Sequence, residues 1–230
     1  MGIHQVLAQE GFFRMKPIVS CPLCLSSGVS EYHVDDVRCY LLCGTCALVF
    51  VSPEYHLSRG DEKARYELHE NSPLDKRYRM FLSRLFDPML ERVPAGGHGL
   101  DFGAGPGPTL SVMFQEAGYE MSIYDPFFAP DPTVWDRTYD FITATEVLEH
   151  LYRPGYELDR LWSHLRTDGF LGVMTQLVID RDRFTKWHYT SDPTHVCFFS
   201  PETLEWLSAS LNAHMTLFPE TGVCLFHKRK

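Results

Sequence analysis

The chain has 230 residues, of which 44% are hydrophobic and 22% are charged, and its formal net charge at pH 7 is −9. This length and composition predict a folded protein of one domain with an appendage, or of two small domains. The acidic balance argues against broad attachment to nucleic acid or to anionic membranes. The sequence has no apolar run near the roughly 18–20 residues that span a bilayer and no clear signal peptide, so we expect a cytoplasmic protein.

Two Cys-x-x-Cys pairs follow a predicted loose leader at residues 1–17, within which Met15 is a second candidate start. The pairs are separated by eighteen residues, a spacing typical of a tetrahedral zinc site with the ligands Cys21, Cys24, Cys43 and Cys46. Residues between the pairs favour β-strands, so we predict a zinc ribbon over residues 18–55. Four thiolates leave no open position on the metal, so this zinc is expected to be structural. The alternative is four ordinary buried thiols.

A polar segment, residues 56–73, comes next and holds Tyr66, His69 and Asn71. It has two interpretations, a lid across the mouth of an active site or a solvated helix and linker. In the first, His69 is a candidate substrate contact. Apolar residues then recur at three- and four-residue intervals over 74–93, which predicts an amphipathic helix whose apolar face packs in the core, with Ser72 as its N-cap.

Residues 99–110 predict a buried strand, a glycine turn and the start of a helix. A dinucleotide fingerprint, G-x-G-x-x-G, would need a third glycine where Pro108 stands. The pattern is instead D-x-G-x-G-x-G, which resembles motif I of class I S-adenosylmethionine (SAM) dependent methyltransferases. The resemblance implies that Asp101 faces the ammonium group of SAM and that the turn glycines lie against the cofactor (Gly103, Gly105 and Gly107). The helix N-terminus would present unpaired N–H groups to the ligand.

A second acidic residue, Asp125, ends the next predicted strand, 20 residues beyond Gly105. This is the spacing at which doubly wound nucleotide sites place a carboxylate on the ribose hydroxyls. The stretch that follows is rich in proline and aromatic residues and too short for a further helix and strand, so we expect the sheet to be trimmed around its third strand. Phe127 and Phe128 are candidates to pack on the adenine.

The strand predicted over residues 139–145 is followed by Glu-Val-Leu-Glu-His, which resembles the motif after the fourth strand of many methyltransferases. The whole resemblance covers residues 74–230, and it extends to bacterial methyltransferases that carry a small N-terminal zinc domain. It predicts an α/β, Rossmann-like class I methyltransferase sheet that is preceded in the sequence by a small N-terminal zinc ribbon.

Four residues are predicted to form the reactive end of the site: Glu146, Glu149, His150 and His195. The first three, at i, i+3 and i+4, are predicted to lie on one face of a helix that follows this strand. Two carboxylates and two imidazoles suit a divalent metal, and the set resembles the metal sites of small-RNA 3′-terminal and quinone O-methyltransferases. Alternatives are a metal-free histidine base, with His188 as a further candidate, and a structural role. Glu146 is also a candidate SAM contact, and Trp187 and Tyr189 are candidate substrate contacts.

The sequence therefore predicts a SAM-dependent methyltransferase that acts on oxygen or nitrogen of a small or carrier-bound molecule. One alternative is an RNA-modifying methyltransferase with a divalent metal, which the net charge of −9 disfavours. The other is a non-catalytic module that binds SAM and, through its zinc ribbon, a partner.

Overall fold

The computed structural model describes residues 19–68 and 71–230, so the predicted leader and His69 lie outside the described residues. Ten strands are found there: β1 (Val29–Val34), β2 (Cys39–Cys43), β3 (Val49–Val51), β4 (His98–Phe102), β5 (Glu120–Tyr124), β6 (Tyr139–Thr145), β7 (Leu165–Met174), β8 (Cys197–Phe198), β9 (His214–Phe218) and β10 (Val223–His227). The α-helices of the same residues are α1 (Arg59–Tyr66), α2 (Lys76–Leu90), α3 (Thr109–Glu116), α4 (Pro154–His164), α5 (Arg181–Phe184) and α6 (Pro201–Ser210). None of the described helices is both long and apolar enough to cross a bilayer.

The larger sheet has the strand order β5-β4-β6-β7-β10-β9. Its first four strands run parallel, and β10 is antiparallel to both neighbours. Between β5 and β6 the described chain forms only a short 3₁₀ helix, Pro132–Asp136, in place of a further strand. The prediction of a Rossmann-like sheet trimmed around its third strand is therefore confirmed.

The smaller sheet is antiparallel and has the order β1-β2-β3-β8. Its last strand, β8, comes from the far end of the chain, with Phe198 opposite Val49 and Cys197 opposite Phe50. Buried side chains of this sheet belong to the same core cluster as Leu148 and Phe199. The ribbon is thus joined to the rest of the described chain by strand β8, which pairs with β3, and by a shared core. The predicted boundaries at residues 18–55, 56–73 and 74–230 stay predictions.

Two local predictions are wrong. Helix α2 begins at Lys76 because the Asp75 carboxylate accepts hydrogen bonds from the amides of Arg77 and Tyr78, so Asp75 is the N-cap and Ser72 is not. The segment after β6 is not an α-helix, since Glu146 has a φ of 52° and only a 3₁₀ turn over Leu148–His150 follows. The buried side chains of α2 do form core, as predicted (Leu82, Leu85 and Met89).

Candidate active site

A cavity of about 490 Å³ lies at the carboxyl ends of β4, β5 and β6. This is the edge at which open parallel sheets bind ligands. One end is formed by the glycine turn and the end of β5 (Gly103, Gly105, Asp125, Phe127 and Phe128), and the other by Glu146, His150, Asp192 and His195. Residues from α1 to α2 cover it (Glu62, Tyr66, Asn71, Tyr78 and Phe81). The predicted cofactor end and the predicted reactive end therefore share one cavity.

The glycine turn is fastened to the end of β5. The amides of Gly103 and Ala104 donate to the Tyr124 carbonyl at 2.7 and 3.3 Å. Gly103 and Gly105 have φ values of 75° and 63°, which L side chains rarely adopt. The amides of Gly103, Ala104 and Gly105 each donate to the chain itself, and the expectation for the helix N-terminus that follows stays a prediction.

Gly107 lies outside the cavity lining, so its predicted contact with the cofactor is not seen in this arrangement. A Cβ there would stand 1.7 Å from the carbonyl oxygen of Asn71. The glycine therefore lets the covering segment rest directly on the turn.

Replacing Gly107 with alanine should displace Asn71 and lower the free energy of unfolding by about 1–3 kcal/mol, the usual cost of overpacking. Urea denaturation measures the loss. Gly60→Ala is a matched control, since the nearest heavy atom to its added Cβ is the Ser58 hydroxyl oxygen at 3.9 Å. Equal stabilities of the two variants would show that the close approach of Asn71 to Gly107 does not matter for folding.

Asp125 lines the cavity and also organises the loop around it. One carboxylate oxygen accepts the Gly105 amide at 3.0 Å, and the other accepts the amides of Phe127 and Phe128 at 2.8 and 3.0 Å. A carboxylate has about four lone-pair sites, so ribose hydroxyls can still be accepted. The predicted ribose role fits this position, and the anchoring role was not foreseen.

Asp101 lies beneath the turn, only 4% exposed, and is not among the residues that line the cavity. It accepts a hydrogen bond from the Thr143 hydroxyl at 2.9 Å. Burial raises the pKa of Asp101 to about 7. Asp101 thus links the end of β4 to Thr143 of β6, and its expected contact with the ammonium group of SAM stays a prediction.

Three of the four residues predicted for the reactive end come together. Glu149, His150 and His195 each offer an atom within 4.8 Å of the other two, and the two imidazole rings are 4.7 Å apart. The fourth residue, Glu146, lines the same cavity but is not part of this group. We call Glu149, His150 and His195 the acceptor cluster.

Backbone carbonyls fix the tautomers of both histidines. Nδ1 of His195 lies 2.7 Å from the Tyr189 carbonyl, and Nδ1 of His150 lies 3.2 Å from the Thr194 carbonyl. A carbonyl only accepts, so each Nδ1 carries the proton and each neutral ring has its lone pair on Nε2. Histidines that bind metal or act as a base are oriented in this way.

Glu149 is completely buried, and one of its oxygens accepts from the Tyr189 hydroxyl at 2.5 Å. Its other oxygen, Oε2, is buried and has no hydrogen-bond partner among the residues that the structure describes. Such an atom is costly unless a cation or a polar ligand group satisfies it. Burial raises the pKa of Glu149, and burial together with Glu149 raises the pKa of Glu146 to about 8. A divalent cation beside these carboxyls would reverse both shifts.

The other predicted substrate contacts lie behind the cluster. Tyr189 is buried, and its ring centroid is 4.0 Å from that of His195 and 4.8 Å from that of Trp187. Neither Tyr189 nor Trp187 lines the cavity, and His188 is exposed outside it. The Tyr189 ring packs against His195 of the acceptor cluster, and the substrate contacts expected for Tyr189 and Trp187 stay predictions. His69 lies outside the described residues.

Helix α1 covers the cavity and was predicted only as an alternative. Its Tyr66 ring lies 5.3 Å from the His150 ring, and Arg65 pairs with Asp192 at 3.7 Å. Buried Glu62 accepts from the Tyr66 hydroxyl at 2.9 Å. The polar composition of this segment fits either a lid or a linker, so the sequence alone did not distinguish the two. In the structure the segment lies over the cavity, which favours the lid.

The geometry of the four ribbon cysteines fits a zinc ion. Their sulfur atoms lie within 4.8 Å of one another, and the closest pairs are Cys21–Cys46 at 3.5 Å and Cys24–Cys43 at 3.4 Å. Tetrahedral zinc–thiolate bonds place sulfurs about 3.8 Å apart. Each Cys-x-x-Cys motif is followed directly by a residue with positive φ, Leu25 after Cys24 and Ala47 after Cys46. Cys39 is outside the cluster.

The comparisons agree with this fold. The sequence family described as "Methyltransferase domain" matches residues 74–216. The chain therefore belongs to this family, the SAM-dependent methyltransferases. A search of curated proteins finds no match.

Solved structures share the fold at low identity. Human N-acetylserotonin methyltransferase in complex with SAM is 15% identical, with a TM-score of 0.51 over 75% of this chain and 57% of the other. Burkholderia thailandensis 1,6-didemethyltoxoflavin-N1-methyltransferase, with its substrate and S-adenosylhomocysteine, is 16% identical with a TM-score of 0.47 over 87% and 100%. The YcgJ protein of Bacillus subtilis is 14% identical with a TM-score of 0.47 over 66% and 99%.

Proposed function

We propose that this protein transfers a methyl group from SAM to an oxygen or nitrogen atom of a small or carrier-bound molecule. The observation that carries the proposal is the single cavity, which has the glycine turn and Asp125 at one end and His150 and His195 of the acceptor cluster at the other. SAM, when bound, supplies the activated methyl group. The chain's own residues then have to align the acceptor and manage one proton.

The glycine turn and Asp125 fit the cofactor end. Gly105 has a backbone conformation in which a side chain would be strained, and the space next to its Cα is open. Asp125 lines the same cavity. Phe127 and Phe128 lie at this end as candidate adenine contacts. These positions support a nucleoside site, with Gly103, Gly105, Asp125 and Glu146 as its proposed contacts.

The acceptor cluster supports two versions of the chemistry. In the first, Nε2 of His195 or His150 accepts the proton of the attacking group. In the second, Glu149, His150 and His195 hold a divalent cation that lowers the acceptor's pKa and orients it, with Glu146 nearby. The unpartnered Oε2 of buried Glu149 favours the second version.

The charge of the cavity supports a small acceptor over RNA. Among the described residues that line it there is no lysine or arginine, whereas nucleic-acid sites neutralise phosphates with such residues. We further propose that the ribbon cysteines hold one structural zinc ion and that the protein acts in the cytoplasm, a reducing compartment in which thiolates persist.

Asp125→Ala should weaken SAM binding by about 1–3 kcal/mol, because a charged hydrogen bond is lost and the Gly105 amide loses its acceptor. Calorimetric titration with SAM gives the affinity. Gly105→Val should weaken binding as well, since a β-branched side chain is strained at a φ of 63°.

The control for both variants is Asp131→Ala. Asp131 lies six residues further along the same loop and accepts the Thr133 amide at 2.9 Å, outside the cavity. It should bind SAM as the wild type does. Wild-type affinity in both Asp125→Ala and Gly105→Val would overturn the proposed cofactor site.

A further inference from the structure

A buried arginine of the ribbon reaches into the loop that carries His195. Arg38, which directly precedes β2, is 6% exposed. Its guanidinium donates to the carbonyls of His195 at 2.9 Å, of Asp192 at 3.4 Å, and of Thr190. These three carbonyls belong to the turn that ends at His195. One side chain therefore supplies hydrogen-bond donors to several backbone acceptors of that loop.

Arg38 is itself held rigidly. Asp35 accepts the amides of Val37 and Arg38 at 2.7 and 2.6 Å with one oxygen, and the Tyr40 hydroxyl at 2.7 Å with the other. The Tyr40 ring lies 5.3 Å from the guanidinium carbon and is fully buried. The guanidinium is thus presented from a fixed turn between β1 and β2.

A second connection runs through the backbone of Val196. Its carbonyl accepts the Val51 amide of β3 at 3.0 Å, and its amide donates to the Glu149 carbonyl at 2.8 Å. The ribbon therefore contacts the residue after His195 and, through it, the backbone of Glu149. Two members of the acceptor cluster are joined to the ribbon by independent paths.

We propose that the ribbon is a positioning element of the acceptor cluster and that Arg38 is the positioning residue that keeps His195 facing Glu149 and His150. This inference rests on the proposed function for its catalytic meaning. Without the guanidinium, the carbonyls of Thr190 and His195 lose their donor, that of Asp192 keeps only the His195 amide at 3.2 Å, and the loop is free to relax. The cofactor end does not depend on it, because Arg38 makes no contact with the glycine turn or Asp125 among its hydrogen bonds.

The test compares Arg38→Met, Arg38→Lys and the wild type by NMR of protein labelled with ¹⁵N-histidine. The Nδ1–H proton of His195, assigned with His195→Gln, donates to the Tyr189 carbonyl and should exchange slowly in the wild type. We expect exchange at least tenfold faster in Arg38→Met and intermediate exchange in Arg38→Lys. Free guanidinium on the order of 20 mM, well below denaturing concentrations, should restore slow exchange in Arg38→Met.

Arg183→Met is the matched control, because Arg183 precedes the same loop but makes only an exposed ion pair with Asp180 at 3.3 Å. SAM affinity should stay within threefold and zinc content at one ion per chain in every variant. Wild-type exchange in Arg38→Met, or a loss of SAM affinity in parallel with faster exchange, overturns the proposal. If Arg38→Met does not fold, wild-type exchange in Arg38→Lys overturns it. Failure of the wild type to bind SAM would instead contradict the proposed function and leave this readout unaffected.

Discussion

Replacing His195 with alanine or Glu149 with glutamine is expected to lower the rate of methyl transfer by about 10²–10⁴-fold, the usual loss when a general base or its equivalent is removed. SAM affinity should remain near that of the wild type, because His195 lines the end of the cavity away from the glycine turn and Glu149 is buried beside His195, with ligand atoms within 4.8 Å. The assay follows formation of S-adenosylhomocysteine from SAM with a panel of phenols, catechols and amines. His188→Ala is the control, since this histidine of the same loop is exposed outside the cavity.

A chelator separates the two versions of this prediction. A metal site predicts that brief, mild chelation abolishes activity, that Mg²⁺ or Mn²⁺ restores it, and that Glu149→Gln is as damaging as His195→Ala. A metal-free base predicts no effect of the chelator. In that version the rate rises with pH through the pKa of His195, which burial and the neighbouring His150 lower from the ordinary value of about 6.5. Activity would then be full at neutral pH and lost on acidification. Full turnover in both His150→Ala and His195→Ala would rule out either role.

Cys43→Ser is expected to remove the ribbon zinc and lower the melting temperature by at least about 10 °C, because structural zinc contributes several kcal/mol or more and each kcal/mol shifts the midpoint by about 2–4 °C in a chain of this size. Elemental analysis and calorimetry measure the two effects. Cys39→Ser is the control, since Cys39 belongs to the same sheet but not to the four-sulfur group.

The zinc-free variant should also reproduce the faster exchange of the His195 ring proton expected for Arg38→Met, while SAM binding is largely kept. Zinc-free wild-type protein with an unchanged melting temperature would show that the metal does not stabilise the ribbon.

The parts of the site that the sequence predicted are those coded by short segments. The glycine turn, the cysteine pairs and the acid at the end of β5 each follow from spacing within one stretch, and the trimmed sheet follows from the few residues available before Tyr139. Glu149 and His150 are sequence neighbours. Their proximity to His195 could be predicted because loops gather at the carboxyl edge of a parallel sheet.

The remaining features depend on contacts between distant segments or on local backbone geometry. Nothing in the sequence around Arg38 indicates that it reaches a loop more than 150 residues away, at His195. Asp101, Trp187 and Tyr189 do not line the cavity, and their positions depend on packing that no periodicity encodes. The helix expected after β6 fails because Glu146 adopts a left-handed conformation, which residue type alone did not indicate.

The pairing of β3 with β8 has a consequence for the order in which the chain folds. Val49 and Phe198 are about 150 residues apart, so their pairing is one of the most non-local contacts in the molecule and has a high entropic cost of closure. During synthesis the ribbon emerges first and can take up zinc, but the edge of β3 stays unpaired until β8 leaves the ribosome. Until then Val49 and Phe50, almost fully buried in the finished protein, lack one of their neighbours. Nascent chains would therefore pass through an interval in which an apolar strand edge is open to association, and that interval would end only when β8 pairs with β3.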